Sequence, residues 1–184
     1  MIGCKQLDAT EIETIETGLK NPRDRALFVL CLYTGFRIQE ALSLVVRDVT
    51  SHSRVTVRRS NMKGKISSRS VLLHPRVAQA ITELVEHENL AQDDYLFQSR
   101  KGNNQAISRV QAWRIIKDVV RDCKLDDKIA THSMRKTFAD RAYKAFKGDI
   151  FKTSKALGHK SVLSTASYLS FKTEEIDAAI MGME

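Results

Sequence analysis

The sequence predicts a mainly α-helical domain with one small antiparallel β-sheet, an α+β fold in which helices dominate. Two observations lead there. Apolar residues recur at helical spacing along most of the 184 residues, while period-two alternation is confined to 54–58 and 69–73, on either side of a Met62-Lys63-Gly64-Lys65 turn.

Residues 10–19 read as a first helix, with Thr10 and Glu13 in a capping-box pattern and Ile12, Ile15 and Leu19 on one face. Asn21 and Pro22 open a second, whose near-continuous apolar run through Leu27 to Tyr33 marks it as the central buried helix. After Thr34-Gly35 a third carries Ile38, Ala41, Leu42 and Val45 inward, with Arg37 at its start and a polar, turn-like stretch from 48 to 54. The hairpin follows, bearing Arg54, Arg58, Arg59, Lys63, Lys65 and Arg69. A helix over 75–87 turns Val77, Ala80 or Ile81, Leu84 and Val85 inward, and a loop over 89–104 carries the apolar clip Tyr95-Leu96-Phe97. Ser108 caps a helix to about residue 121 whose expected buried face is Val110, Trp113, Ile116 and Val120. Further helices are expected over 132–146 and 149–157, the latter ending at Gly158; a short one carries Tyr168, and Thr173 caps a last one with Ile176, Ile180 and Met183. There is no internal repeat, low-complexity tract or linker.

This length suits one domain with a core of its own. A hydrophobic fraction of 42% beside 28% charged residues is that of a globular chain. No apolar run approaches the roughly 20 residues that cross a bilayer, and the N-terminal residues lack a signal-peptide core, so a cytoplasmic protein with no membrane partner is expected. Cys4, Cys31 and Cys123 are widely spaced and read as reduced thiols, with no metal-ligand pairing among them. The formal charge of +8 favours a polyanionic partner, but charge alone does not separate DNA from RNA or an anionic membrane.

Several cations have positions that suggest chemistry. Arg37 follows a sharp turn between two apolar helices; it is either a solvated surface charge or a guanidinium fixed in a cleft, where it would grip a phosphate through paired hydrogen bonds. His132 and Arg135 share a helix face near an N-terminus that favours anions; they are either an anion-binding pair or an ordinary polar helix start. Lys63 and Lys65 sit at the hairpin turn, where a lysine is either merely exposed or placed to give a proton to a leaving oxygen. Tyr168 follows His159 by nine residues. A phenol has a pKa of about 10 and attacks poorly unless activated, so these cations give the tyrosine its interest.

Taken in order, Thr34-Gly35-Phe36-Arg37-Ile38-Gln39-Glu40-Ala41-Leu42, the hairpin lysine, His132-x-x-Arg135, Leu157-Gly158-His159 and Tyr168 resemble the catalytic domain of the tyrosine recombinases, or phage integrase family. The likeness spans residues 7 to 168 and includes Leu96-Phe97-x-Ser99-Arg100. It implies a site-specific recombinase acting on double-stranded DNA without metal, cofactor or ATP, with Arg37, Lys63, His132, Arg135, His159 and Tyr168 catalytic. Lys63 fits best because it directly precedes Gly64, and Lys65 is the substitute; Glu40 matches an acidic position read as helix support. Side chains expected on the DNA are Arg58, Arg59, Lys65, Arg69, Arg100, Lys101, Lys136 and Lys160. Residues 1–184 are expected to form one catalytic domain without the N-terminal, core-binding domain of most members, as an excised fragment or a short single-domain member. The resemblance also implies a bacterial or phage setting beside the nucleoid and a tetramer on DNA through exchange of residues 173–184, and it admits accessory DNA-bending proteins. Three rival readings stand beside it: a type IB topoisomerase-like enzyme, a DNA-binding regulator that kept the fold and lost catalysis, and a generic basic helical protein, which explains the charge and none of the spacing.

Overall fold

Around helix α2 (Pro22–Thr34) the first part of the chain is built, and every side chain from Ala26 to Leu32 is buried. The computed structural model describes residues 3–50, 54–57, 69–101, 103–159, 161–169, 177 and 180–183. They divide into two compact units, Met1–Phe138 and Ala139–Glu184.

In the first unit, α1 (Ala9–Gly18) precedes α2, and α3 (Ile38–Leu42) and α4 (Arg47–Thr50) follow it. Strands β1 (Arg54–Val57) and β2 (Arg69–Leu72) then pair antiparallel, with Arg54 opposite Leu72 and Val57 opposite Arg69. Helices α5 (Pro75–Glu88) and α6 (Arg109–Asp122) complete the layer: α5 packs along α2, while α6 lies against α1 and α3. Each of Phe28, Leu30, Phe36, Phe97 and Leu84 is under 2% exposed, and burial of such a side chain contributes about 1.5–3 kcal/mol. Cys31 belongs to this core at 1% exposure, and burial pushes its thiol up to about 12. Helix α7 (Thr131–Ala145) runs out of the first unit; the second holds α8 (Ile150–Leu157) packed on α9 (Val162–Ala166). Among the described residues no helix is long and apolar enough to cross a membrane.

Local chemistry accounts for the helix ends. The Asn21 side chain accepts from Arg23 N–H at 2.9 Å with Pro22 in the first turn, and Ser108 Oγ accepts from Gln111 N–H at 3.1 Å. Ser108→Ala is expected to lower stability by about 1 kcal/mol, read as a lower urea midpoint at unchanged m-value. Helix α1 starts earlier than expected. Asp8, not Thr10, is the cap, because Asp8 Oδ1 accepts from Glu11 N–H at 2.8 Å and Glu11 Oε2 accepts from Asp8 N–H at 3.1 Å. Glu11 is then anchored by Lys5 at 2.7 Å.

Helix α3 stops at Leu42, short of the expected Val45. Leu44 and Val46 are drawn instead into bonds with the 89–104 loop: Leu96 N–H donates to Leu44 O at 3.0 Å and Val46 N–H to Asp94 O at 2.9 Å. The stretch expected as a turn after residue 48 holds α4, with Val46 and Val49 buried. In α6 the buried stripe is Ala112, Ile115, Ile116, Val119 and Val120, whereas Val110 and Trp113 are 57% and 47% exposed. Two apolar stripes overlap on this helix; the one with the small Ala112 faces the core, leaving Val110 opposite and Trp113 at the margin. Ile180 and Met183, of the expected apolar stripe, are exposed together with Met181, while Thr173 and Ile176 lie outside the described residues.

Candidate active site

Gly35 sets up the first cluster. It ends α2 in the left-handed conformation at φ 61°, and the chain then turns into Phe36 and Arg37, the N-cap of α3. From α7 the fully buried Arg135 reaches across, and its Nη1 donates to the Gly35 carbonyl. Arg37 is held by Glu40: its backbone N–H donates to Glu40 Oε2 and its Nη1 to Oε1, both at 2.8 Å. Glu40 is 2% exposed, whereas about a third of the Arg37 side chain remains open.

His132, half-buried on α7 one turn before Arg135, shares this electrostatic field. Burial lowers its pKa below the ordinary 6.5, and the guanidinium groups of Arg135 and Arg37 lower it further. The imidazole is therefore neutral at pH 7 and able to accept a proton. In linkage terms, between the depressed folded pKa and about 6.5 the unfolded chain binds more protons, so this residue's contribution to stability falls as pH drops through that window. An NMR titration is expected to place the His132 midpoint below 6.5 and to move it upward in Arg37→Ala; an unmoved midpoint would remove Arg37 from the causes.

The second unit contributes a separate pair. Helix α8 ends in a Schellman motif: Gly158 is left-handed at φ 65°, its N–H donates to Lys155 O, and His159 N–H donates to Ser154 O at 3.0 Å. That geometry, with Leu157 fully buried beneath it, fixes where His159 leaves the helix. His159 Nδ1 lies 2.9 Å from Oγ1 of the buried Thr165 on α9. Tyr168 sits just past the end of α9, its N–H donating to Thr165 O at 2.9 Å, with its ring 5.3 Å from the His159 ring and tilted by 45°. Thr165 is a site residue the sequence reading missed; its only signal was its position six residues after His159.

Arg37, His132 and Arg135 thus gather in one unit and His159 and Tyr168 pair in the other. Arg58, Arg59, Lys63, Lys65 and Lys160 lie outside the described residues. Arg100 and Lys101 are exposed. Two of the expected DNA-facing cations are engaged within the chain. Arg69 has only 7% of its side chain exposed; Nη2 donates to Thr34 O at 2.7 Å, and Nη1 lies 3.6 Å from Glu40 Oε2. Its guanidinium also covers the Phe36 ring at 4.8 Å. Burial and the neighbouring Arg135 push its pKa down to about 9, which leaves it cationic at neutral pH. Lys136 is half-buried, its Nζ donating to Cys4 O at 2.7 Å. Among the described residues no group of three or more His, Cys, Asp or Glu side chains is placed to hold a metal.

Residues 5–175 match the sequence profile of the phage integrase family. The chain belongs to the phage integrase family. Within that family it is 32% identical over 160 residues to the probable integrase/recombinase YoeC of Bacillus subtilis (strain 168), covering 87% of this chain and 84% of that one. It spans only 47–54% of the length of further curated relatives, all named tyrosine recombinases or a resolvase. The phage integrase fold is confirmed by two solved structures. The XerA recombinase gives a TM-score of 0.79 at 23% identity, over 96% of this chain and 62% of that one. The XerH recombinase bound to its difH substrate before cleavage gives 0.74 at 22%, over 99% and 55%. The expected mainly helical fold with a small antiparallel sheet is therefore the observed one.

Proposed function

We propose that this chain is the catalytic domain of a site-specific DNA recombinase that cuts and rejoins strands through a 3′-phosphotyrosyl link at Tyr168. The observation that most supports this reading is the Tyr168–His159 pair, a phenol held 5.3 Å, ring to ring, from an imidazole that a buried hydroxyl orients. A binding protein needs positive charge but has no need of that pair. Arg37 and Arg135 supply the cations for a scissile phosphate, whose non-bridging oxygens gain charge in the transition state. In this reading His159, whose Nδ1 lies 2.9 Å from Thr165 Oγ1, adds a hydrogen bond to the phosphate.

In this mechanism the Tyr168 oxygen attacks phosphorus in line, the phosphorus–O5′ bond breaks, and the DNA keeps its 3′ phosphate on the tyrosine. The phenol proton passes to neutral His132, and Lys63 gives a proton to the departing 5′ oxygen. Because the phosphodiester energy is kept in the new ester, a second strand's 5′-hydroxyl reverses the step. Guanidinium groups meet the phosphate charge, so neither metal nor ATP is required. The partner in this reading is double-stranded DNA, a reading supported by the XerH recombinase structure bound to its difH substrate. Arg100 and Lys101 are exposed cations for its backbone. Assembly into a tetramer through residues 173–184 belongs to the same proposal, and the exposed Ile180, Met181 and Met183 offer the apolar surface it would need.

The test uses nicked duplexes tiled across the DNA flanking the coding region, so that cleavage next to a nick releases a short fragment and traps the intermediate. A protein–DNA band that survives denaturing electrophoresis is the expected result. Protein that shifts these duplexes without ever forming the band would instead be a regulator, and this reading would fall.

A further inference from the structure

We infer that Arg69 is a positioning residue for Arg37, acting through Glu40. This rests on the recombinase reading above and adds a residue that the reaction itself never touches. Arg69 opens β2 and stands opposite Val57, the last residue of β1. From there one guanidinium engages three successive parts of the Arg37 turn: the Thr34 carbonyl at 2.7 Å, the Phe36 ring at 4.8 Å and the Glu40 carboxylate at 3.6 Å. Thr34 and Phe36 flank Gly35, whose carbonyl receives Arg135. Arg69 thus braces the backbone turn that leads into Arg37.

Charge counting gives the arrangement a purpose. A lone Glu40–Arg37 pair, joined by two 2.8 Å bonds, would be neutral and would offer a phosphate little. Two guanidinium groups on one buried carboxylate leave the triad with net positive charge while Glu40 still fixes the Arg37 rotamer. Arg69, with 7% of its side chain exposed, supplies that charge from beneath, and Arg37, a third open, delivers it.

Arg69→Met keeps an apolar stem over Phe36 and removes the charge. With the tiled nicked duplexes that trap the wild-type adduct, its cleavage rate is expected to fall about 100-fold, the scale of a misplaced catalytic group. Affinity for the same duplexes, read by mobility shift, is expected to stay within about threefold, since the side chain is not on the surface. Arg69→Lys should recover part of the rate. The decisive comparison is in an Arg37→Ala background over long incubations. There Arg69→Met should cost nothing further, because its only route to the phosphate has gone. Undiminished cleavage by Arg69→Met, or losses that multiply in the double variant, overturns the inference. Should Arg69→Met fail to fold, Arg69→Lys in the same two backgrounds decides. A wild-type chain that forms no adduct overturns the recombinase reading and this inference with it, whereas an active wild type with a fully active Arg69→Met overturns this inference alone.

Discussion

Tyr168→Phe is expected to form no covalent adduct under any condition in which the wild type does, while folding and binding DNA unchanged. The phenylalanine keeps the ring that packs 5.3 Å from His159 and removes the single oxygen that the phosphoryl group would join. No neighbouring group restores that bond, so the loss is complete rather than graded. Stability should change by less than about 0.5 kcal/mol, the usual range for a substitution away from core packing, since Tyr168 is only half-buried. Tyr143→Phe is the control. Tyr143 lies about two turns from Arg135 along α7, and the variant is expected to trap DNA as well as wild type. An adduct that survives Tyr168→Phe and disappears in Tyr143→Phe would reassign the nucleophile.

For Gly35→Ala the expected effect is on the fold. At φ 61° an L-residue pays roughly 1–2 kcal/mol, and a Cβ built there would overlap the Phe138 ring, adding about 1–3 kcal/mol of overpacking. A total near 3 kcal/mol is a large share of a typical stability and corresponds to a fall in Tm of about 10 °C for a chain of this size. Because the same residue's carbonyl receives Arg135, cleavage should suffer in whatever fraction remains folded. Adding Phe138→Leu relieves the overlap but not the backbone strain, so it should restore part of the lost Tm and leave the rest.

What was legible in the sequence is what short-range chemistry decides. Asn21-Pro22, Ser108 and Gly158 announced helix ends correctly because each acts on backbone within a few residues of itself. The order of Arg37, His132, Arg135, His159 and Tyr168 pointed to the family that the profile match then showed. What failed depends on partners far along the chain. Arg69 read as a groove-facing cation because nothing near it in sequence indicates that Glu40 and Thr34, some 30 residues earlier, would receive it. Lys136 read likewise, and its acceptor, the Cys4 carbonyl, lies 132 residues away. On α6, periodicity gave a helix with two apolar stripes, and only the approach of α1 and α3 selects the one with Ala112. The Asp8 cap was missed for a different reason. Asp8-x-x-Glu11 and Thr10-x-x-Glu13 are overlapping versions of one pattern, and the side chain that meets Lys5 decides between them.

Cys31 provides a built-in clock for the opening of this core. Its sulfur is sealed inside α2 and stays protonated at any ordinary working pH, whereas Cys4 and Cys123 are partly accessible. An alkylating reagent at pH 8 should therefore modify two thiols quickly and the third only when α2 is transiently released. The slow phase then measures how often the scaffold beneath Arg37 comes apart, in native buffer and without denaturant. Mass spectrometry of the Cys31 peptide over time, with and without DNA, would report whether binding the polyanion slows that breathing.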